Sequence, residues 1–387
     1  MLMRFAHLSD THLGMRQYGL AEREEDFYHA FEEAVARIIE ERPDFVIHSG
    51  DLFDFHRPQP RALWVAQRCF AKLHEKGIPV FAITGNHDTL MRRGAMPPQV
   101  LFGSQNVRML TEEEPFIVHK GVFIGGVPYT SKFYAGKLKD MLGMLAGKAK
   151  AEAKSVLVLH QGIDRFLQHE FELRLEDIPQ GFDYYAMGHI HSRIVHPFGK
   201  GKLAYPGSSE LWSVNEYDDY RRAGKGFFIV DLGGDEPVVQ GVDVQLSREV
   251  IRERVEANAI ESAIAALREK MQRLAAKPLV YLEVDSGGHD RKALHERLMS
   301  QLSELALSLR VAYVTAGERE AAKVLTRSFD IHSLIREALK DRRKAVLAST
   351  LFDSLSQGDE ERALKEAEDF FEGGHGDAED EGAGDGV

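Results

Sequence analysis

The sequence predicts a layered α/β fold, and two observations carry that prediction. Short apolar runs of strand length alternate with amphipathic helical stretches as far as about residue 245, the pattern of helices packed on sheets. Five of those strands are followed at once by carboxylate, amide or imidazole side chains. Ligands of α/β folds bind beyond the carboxyl ends of strands, so the fold signal arrives together with a site signal.

Arg4–Leu8 is a short apolar strand. Over Glu22–Glu41 the residues Phe27, Phe31, Val35 and Ile38 fall on one helical face, and Pro43 stops the helix. Phe45–Ile47 is the next strand. Pro60–Lys76 is a helix, with Pro at its start and Gly77 behind its end. Val80–Ile83, Val156–Leu159 and Tyr184–Met187 are further strands. A second unit begins near Ser247, where helix Ile260–Leu274, strand Leu279–Val284, helix Lys292–Leu305 and strand Val311–Val314 make a small α/β module. From 319 to 372 the pattern is helical only. Leu334, Ile335, Ala338 and Leu339 form one stripe, Val346, Leu347, Leu351 and Phe352 continue it, and Asp359–Glu372 is a last helix. These stripes suit either folding back on the body or docking a partner. After Gly373 the chain is Gly, Asp, Glu and Ala without apolar period, so disorder is expected. The expected organisation is a domain over 1–245, a module over 246–318, a helical region over 319–372 and an acidic tail over 373–387.

Composition narrows the class. The 387 residues are 43% hydrophobic, as in a globular protein, and no apolar run is long enough to span a membrane. The N-terminus reads directly as a strand, so no secretory leader is expected. A single cysteine, Cys69, excludes an internal disulfide framework and fits a reducing cytoplasm; its place in a helix reads as packing. Of the net charge of −12, −10 falls in 358–387, which leaves the rest of the chain at −2. A nearly neutral body can still present basic patches to nucleic acid.

The polar residues behind the strands define the chemistry. Asp10-Thr-His12 follows the first strand, Gly50-Asp51-Leu-Phe-Asp54 the second and Gly85-Asn86-His87-Asp88 the third; His160 and Gly188-His189-Ile-His191 follow the later two. Alone, each is ordinary: Asp10-x-His12 a loop, Gly85-Asn86 a turn, His160 a hydrogen-bonded histidine. Together they make a mixed oxygen and nitrogen set without thiolate, suited to Mn²⁺, Zn²⁺ or Fe²⁺ rather than Ca²⁺. Asp10, His12, Asp51, Asn86, His160, His189 and His191 are too many for one ion and suit two that share a carboxylate. Two ions about 3.5–4 Å apart can activate a water and stabilise both oxygens of an in-line phosphoryl displacement. His7, His29, His48, His74, His119, His169 and His196 read as core or surface histidines. Tyr18, Arg16 and Arg57 fit DNA contacts or ordinary solvent-facing side chains equally.

The order D-x-H, G-D-x-x-D, G-N-H-D, lone H, G-H-x-H resembles the calcineurin-like metallophosphoesterase superfamily. Within it, His7-Leu-Ser-Asp10-Thr-His-Leu-Gly14, Arg23-Glu-Glu-Asp26, Gly50-Asp-Leu-Phe53 and Arg57-Pro58 resemble the double-strand-break repair nucleases of the meiotic-recombination-eleven and SbcD type. The likeness is strong over the first 245 residues and architectural beyond them. It implies a four-layer α/β/β/α core with a small α/β capping domain and a C-terminal helical arm. It also implies two Mn²⁺ ions. Asp10, His12 and His191 would hold the first with Asp51, which would bridge to a second on Asn86, His160 and His189. His87 would face the substrate and assist the leaving oxygen, and Asp88 would orient His87. One departure stands out: some relatives have His where this chain has Asp54, leaving Asp54 or the nearby His56 to assist exonuclease action.

The resemblance further implies 3′-to-5′ exonuclease and single-strand endonuclease activity on DNA, a homodimer, and an SMC-like coiled-coil ATPase (radiation-sensitive-fifty or SbcC type) on the C-terminal helices. In the module, Arg248, Arg252, Arg254, Arg268, Lys270 and Arg273 suit DNA phosphates, or a salt-bridged face with the interleaved Glu249, Glu253, Glu256 and Glu269. The rival readings are a phosphatase or small-phosphodiester enzyme and a non-catalytic DNA-end scaffold. Phosphatases of the superfamily usually carry Glu after Gly-Asn-His and Arg-Gly after the second Asp, where this chain has Asp88 and Phe55-His56.

Overall fold

The computed structural model describes residues 3–89, 96–167, 171–314, 339, 342–356, 364–367 and 370. The chain divides into two compact units, one of 1–90 with 96–320, the other of 91–95 with 321–387.

In the first unit the strands run, in chain order, β1 (Arg4–Leu8), β2 (Phe45–Ser49), β3 (Val80–Ile83), β4 (Val107–Met109), β5 (Phe116–His119), β6 (Val122–Val127), β7 (Lys154–His160), β8 (Tyr184–Gly188), β9 (Ile194–Phe198), β10 (Gly201–Tyr205), β11 (Gly226–Asp231), β12 (Val238–Asp243), β13 (Val250–Glu256), β14 (Leu279–Asp285) and β15 (Ser308–Val314). The helices are α1 (Ala21–Glu41), α2 (Pro60–Glu75), α3 (Ala135–Ala149), α4 (Tyr217–Ala223), α5 (Ile260–Gln272) and α6 (Arg291–Leu302). One six-stranded sheet has the order β12-β11-β1-β2-β3-β4, a second the order β5-β6-β7-β8-β10-β9. The first is parallel from β1 to β4 and antiparallel on its β11-β12 side, and the second is parallel through β6, β7, β8 and β10 and antiparallel at both margins.

Alternation along the strands sorts side chains into layers. Phe45 and Ile47 of β2 join Phe5, Phe81 and Ile83 against Val122, Ile124, Val156, Val158 and Tyr184 of the second sheet. Val46, between them in sequence, faces the other way, into a cluster with Phe31, Val35 and Ile38 of α1 and Val65 and Phe70 of α2. On the far side, Leu138, Leu142 and Leu145 of α3 cover Phe123, Leu157, Leu159 and Tyr185. The result is the expected α/β/β/α order. The first helix ends as Pro43 requires, with Arg42 taking the left-handed cap at φ 52° and donating to the carbonyls of Ile38 and Ile39.

The module after residue 246 is a parallel sheet β13-β14-β15 with α5 and α6 packed on it through Ile264, Leu267, Leu298 and Leu302. Its first strand was not expected, because VIRERVE carries four charges and reads as polar surface; only Val250, Ile251 and Val255 are buried. Helix α3 was also not foreseen. Gly143 and Gly147 within it weaken its intrinsic preference, and burial of its leucine face overrides that.

In the second unit, α7 (Arg342–Ser356) takes up the expected stretch of Val346, Leu347 and Leu351, and residues 364–367 and Phe370 are helical within the expected last helix. The stripe from Leu334 to Ala338, His169 and the acidic tail lie outside the described residues. Among the described residues, no helix is long and apolar enough to cross a membrane.

Candidate metal centre

The parallel strands β1, β2 and β3 of one sheet and β7 and β8 of the other deliver their carboxyl ends to one place. Asp10 and His12 follow β1, Asp51 follows β2, Asn86 and His87 follow β3, His160 closes β7, and His189 and His191 follow β8. All seven proposed ligands meet there. His12 Nε2 lies 3.1 Å from His191 Nε2, which is 3.8 Å from Asp10 Oδ1. His12 Nε2 is 3.9 Å from Asp51 Oδ2, and His160 Nε2 is 3.2 Å from the same oxygen. Asn86 Oδ1 lies 3.0 Å from both His160 Nε2 and His189 Nδ1. Asp51 is thus common to two groups, Asp10/His12/His191 and Asn86/His160/His189.

The backbone is bent to bring these groups in. Asp10 (φ 52°), His12 (φ 45°), Asp51 (φ 53°) and His189 (φ 90°) all lie in the left-handed region, which non-glycine residues rarely adopt and which concentrates at functional sites. Hydrogen bonds from Asp10 N to Gly50 O (3.1 Å), Thr11 N to Asp51 O (2.9 Å) and Leu13 N to Leu52 O (2.9 Å) tie the first loop to the second and hold the strain. Gly50, at φ +99°, must be glycine on a second count: a Cβ there would lie 2.8 Å from His160 Cγ and 2.9 Å from the Gly85 nitrogen.

Tautomers are set from behind. His160 Nδ1 donates to the Ser49 carbonyl at 2.8 Å, and a carbonyl can only accept, so the neutral ring turns a bare Nε2 toward Asn86 Oδ1 and Asp51. His191 Nδ1 meets Glu216 Oε1 at 3.0 Å, which leaves its Nε2 bare toward His12. Lone pairs facing lone pairs at 3.0–3.2 Å repel unless a cation lies among them, either a proton on one of the rings or a metal ion. Carboxylate, amide and imidazole donors without thiolate suit a borderline divalent ion, so the residues fit the metal that the sequence calls for.

Titration follows the same geometry. Burial opposes charge on both Asp51 and His160, yet their mutual attraction wins: the Asp51 carboxyl sits well below the usual range and His160 rises to about 9. Burial and then the charge of His160 push His189 down to about 4. Burial lowers His12 against the pull of Asp54 and Asp51. Glu216 falls to about 2 against its own burial, because Lys225 and His191 favour its charge.

His87 stands at the rim, 29% exposed in its side chain, its ring 4.8 Å from that of His12. Its Nδ1 donates to the Asp54 carbonyl at 2.8 Å, so that oxygen, not Asp88, orients the ring. This corrects the role expected of Asp88. The buried Asp88 carboxylate accepts the backbone N–H groups of Leu52 (3.1 Å), Phe53 (2.9 Å) and Gly85 (3.2 Å), binding the second loop to the third; burial and Asp51 raise it to about 7. Of the two candidate assisting residues, Asp54 is at the centre, Oδ1 3.4 Å from His12 Nδ1. His56 instead lies tilted against Phe55, ring centroids 4.2 Å apart.

Known proteins share this plan. The calcineurin-like phosphoesterase family matches residues 3–193, a span that holds every residue of the centre from Asp10 to His191. A DNA double-strand break repair protein Mre11 of Methanococcus maripaludis is 32% identical over 382 residues, 96% of this chain and 100% of the relative. The chain belongs to the calcineurin-like phosphoesterases, in the Mre11 family. A second Mre11, from Methanocaldococcus jannaschii, is 39% identical over 284 residues, covering 72% of this chain and 76% of its own. The Mre11 of Saccharolobus solfataricus is 32% identical over 318 residues, 80% and 82% of the two chains. The protein is therefore a metal-dependent phosphoesterase.

Several parts of this Mre11-family centre carried no sequence signal. Glu216 reaches back from the turn before α4, and its Oε2 pairs at 2.5 Å with buried Lys225, which also donates to His191 O (2.9 Å) and Ser208 Oγ (2.6 Å). Trp212 and Tyr129 stand at opposite ends of the centre, Trp212 beside His12 and His191, Tyr129 beside His160 and His189. Tyr129 does lie two residues beyond a strand, β6, but that strand is not among those read from the sequence; the other three follow no strand in the manner of the proposed ligands, so spacing could not find them.

Each of the six basic residues of the module has a partner, and for two of them, Lys270 and Arg273, it is one of the interleaved glutamates. Arg248 binds Asp26 (2.8 and 3.1 Å), Arg252 binds Asp218 (2.8 Å), Arg254 binds Glu283 and Arg273 binds Glu269. Lys270 lies 3.7 Å from Glu249 and 3.5 Å from Glu253, and Arg268 donates to Gln301 O at 2.8 Å. Arg16 pairs with Glu24 at 3.2 Å. Tyr18 reaches the module itself, its hydroxyl 2.5 Å from that of Tyr281 and its ring under Arg310.

Proposed function

We propose that this chain is a manganese-dependent DNA nuclease, exonuclease and endonuclease, that processes double-strand-break ends within a repair complex. The observation that carries the reading is the pair of ligand groups joined through Asp51, with the half-exposed His87 beside them. When bound, two divalent ions would neutralise phosphate oxygens and activate a water. Asp10, His12 and His191 with Asp51 would hold one, and Asp51, Asn86, His160 and His189 the other. The chain's own part is to fix these donors. Ser49 and Glu216 set the tautomers of His160 and His191, and Asp88 locks the loops that carry Asp51 and Asn86. His87, with Nδ1 held by Asp54 O, presents Nε2 to the leaving oxygen, where it stabilises charge or delivers a proton. The relatives named as DNA double-strand break repair proteins support DNA as the substrate.

The same likeness supports a homodimer, a place in the cytoplasm at the nucleoid, and an SMC-like coiled-coil ATPase as the partner of the C-terminal helices. Residues 1–245 would be the nuclease domain, 246–318 a cap over the DNA, 319–372 the partner-binding arm and 373–387 a solubilising tail.

The test is an end-labelled linear duplex incubated with Mn²⁺, Mg²⁺ or EDTA, wild type beside His87→Ala. Loss of label with Mn²⁺, none with EDTA, and its disappearance in His87→Ala are expected, with DNA binding retained. Intact DNA in every lane, together with hydrolysis of bis-p-nitrophenyl phosphate, would move the assignment to a small phosphodiester. Full activity in His87→Ala would remove the role given to that residue.

A further inference from the structure

We propose that Trp212 is a substrate-binding residue: its indole stacks on a nucleobase next to the scissile phosphate. The inference rests on the nuclease reading and deepens it. The indole centroid lies 5.7 Å from that of His191, 6.0 Å from His12 and 6.2 Å from His87, so it borders the first ligand group and the leaving-group histidine together. Its polar end is committed, since Nε1 donates to Asp54 Oδ1 at 3.2 Å. Its backbone is held too, by Gln17 Nε2 on the Trp212 carbonyl at 2.7 Å, and Gln17 is in turn held by the buried Arg23 at 2.8 Å. The ring is thus fixed at both ends while it stays partly exposed and belongs to none of the hydrophobic core clusters. The adjacent Leu211 is by contrast 2% exposed and packed in one.

A large, rigid aromatic face kept at the edge of a charged centre has little to gain from water and much from a flat partner. Every base has a π-face, so such stacking tolerates any sequence, which suits an enzyme that must process whatever end a break leaves. Ions bound at the centre would supply positive charge for the phosphate, and the indole would fix the nucleoside beside it.

The experiment uses the full chain with Mn²⁺. Trp212→Ala is expected to raise KM for a short single-stranded oligodeoxynucleotide by roughly ten- to a hundredfold, the scale of one lost base–aromatic stack, and the loss should shrink to less than about threefold on an oligonucleotide made abasic beside the scissile phosphate, which has no base there to stack. Trp212→Phe, which keeps a ring and loses the N–H, is expected to restore most of the oligonucleotide KM. Fluorescence supplies a readout independent of turnover. The chain has two tryptophans, Trp64 and Trp212, and Trp64 is exposed on α2. In Trp64→Phe combined with His87→Ala, which is expected to bind DNA without cutting it, the emission of Trp212 in Mn²⁺ should be quenched by the oligonucleotide. An unchanged KM in Trp212→Ala overturns the proposal, as does an unquenched Trp212. A Phe variant as impaired as the Ala variant overturns it in favour of a role confined to holding Asp54. Equal loss on both substrates overturns it in favour of a role in building the centre. If wild type cleaves the small diester but neither cleaves nor binds DNA, the nuclease reading itself fails.

Discussion

At the carboxyl ends of β1, β2, β3, β7 and β8, acceptors face acceptors; across the β13-β14-β15 module most of the basic side chains face carboxylates. His12 meets His191, and His160 meets Asn86, nitrogen and oxygen lone pairs pointed together. Arg254 meets Glu283, and Lys270 lies between Glu249 and Glu253. The module holds more arginine and would be singled out by a count of charge, yet its cations are already matched. The centre is marked by mismatch: buried acceptors and strained backbone, stable together only when a cation completes them. Local abundance of charge is therefore a poor guide to a nucleic-acid enzyme's working surface, and unmatched donors or acceptors are a better one.

The largest expected effect breaks the centre at its shared point. Asp51→Asn keeps the shape and removes the charge that serves both ligand groups. Hydrolysis of bis-p-nitrophenyl phosphate with saturating Mn²⁺ should fall by more than the roughly 10–100-fold typical of changes behind the ligands. A loss of only a few-fold would mean that the two groups do not act through Asp51. Glu216 tests the support one step back. Its side chain is 11% exposed and that of Lys225 2%, so Glu216→Ala strands a buried cation. Urea unfolding of the metal-free protein should show a loss of about 3–5 kcal/mol. Glu216→Gln should instead weaken Mn²⁺ binding about 10–100-fold in calorimetric titration.

A third measurement contrasts the centre with a buried histidine that has its partners. His7 Nε2 and Nδ1 meet Ser49 Oγ at 2.8 Å and Tyr184 OH at 2.9 Å, and burial, then His48, hold its pKa at about 3. The folded value lies below the unfolded one, so the contribution of His7 is complete above about pH 6.5 and is lost as pH falls toward 3. In EDTA, the stability of wild type should fall with pH more steeply than that of His7→Gln, by up to about 1.4 kcal/mol per pH unit; parallel curves would mean that His7 is protonated in the fold. The smallest effect lies in the module. Removing Arg254 and Arg273 together, both exposed and paired, should change affinity for duplex DNA by less than about threefold. A tenfold loss with a shallower salt slope would show that DNA competes for these charges, and the comparison would fail.

The candidate ligands were legible in the sequence because strand-to-loop position carries chemistry: in this fold a parallel strand's carboxyl end points at the site, so Asp10, His12, Asp51, Asn86, His160, His189 and His191 could be read in order as the groups that meet there. A layered α/β fold was legible from alternation and from the helical stripes of α1 and α2, while the four-layer order came only with the family resemblance. Strand β13 and helix α3 were not, since a charged edge strand and a glycine-bearing helix contradict local preference until packing decides.

Acting alone, the sequence determined which atoms could bind metal and which strands present them, since both follow from residue type and period. Only the tertiary structure decided what each is held by. His87 turns to Asp54 O rather than Asp88, Glu216 supports His191 across 25 residues, and Arg248 answers Asp26 across 222. Hydrogen bonds and ion pairs depend on distances of about 3 Å, and separation along the chain says nothing about such distances until the two sheets have closed on each other.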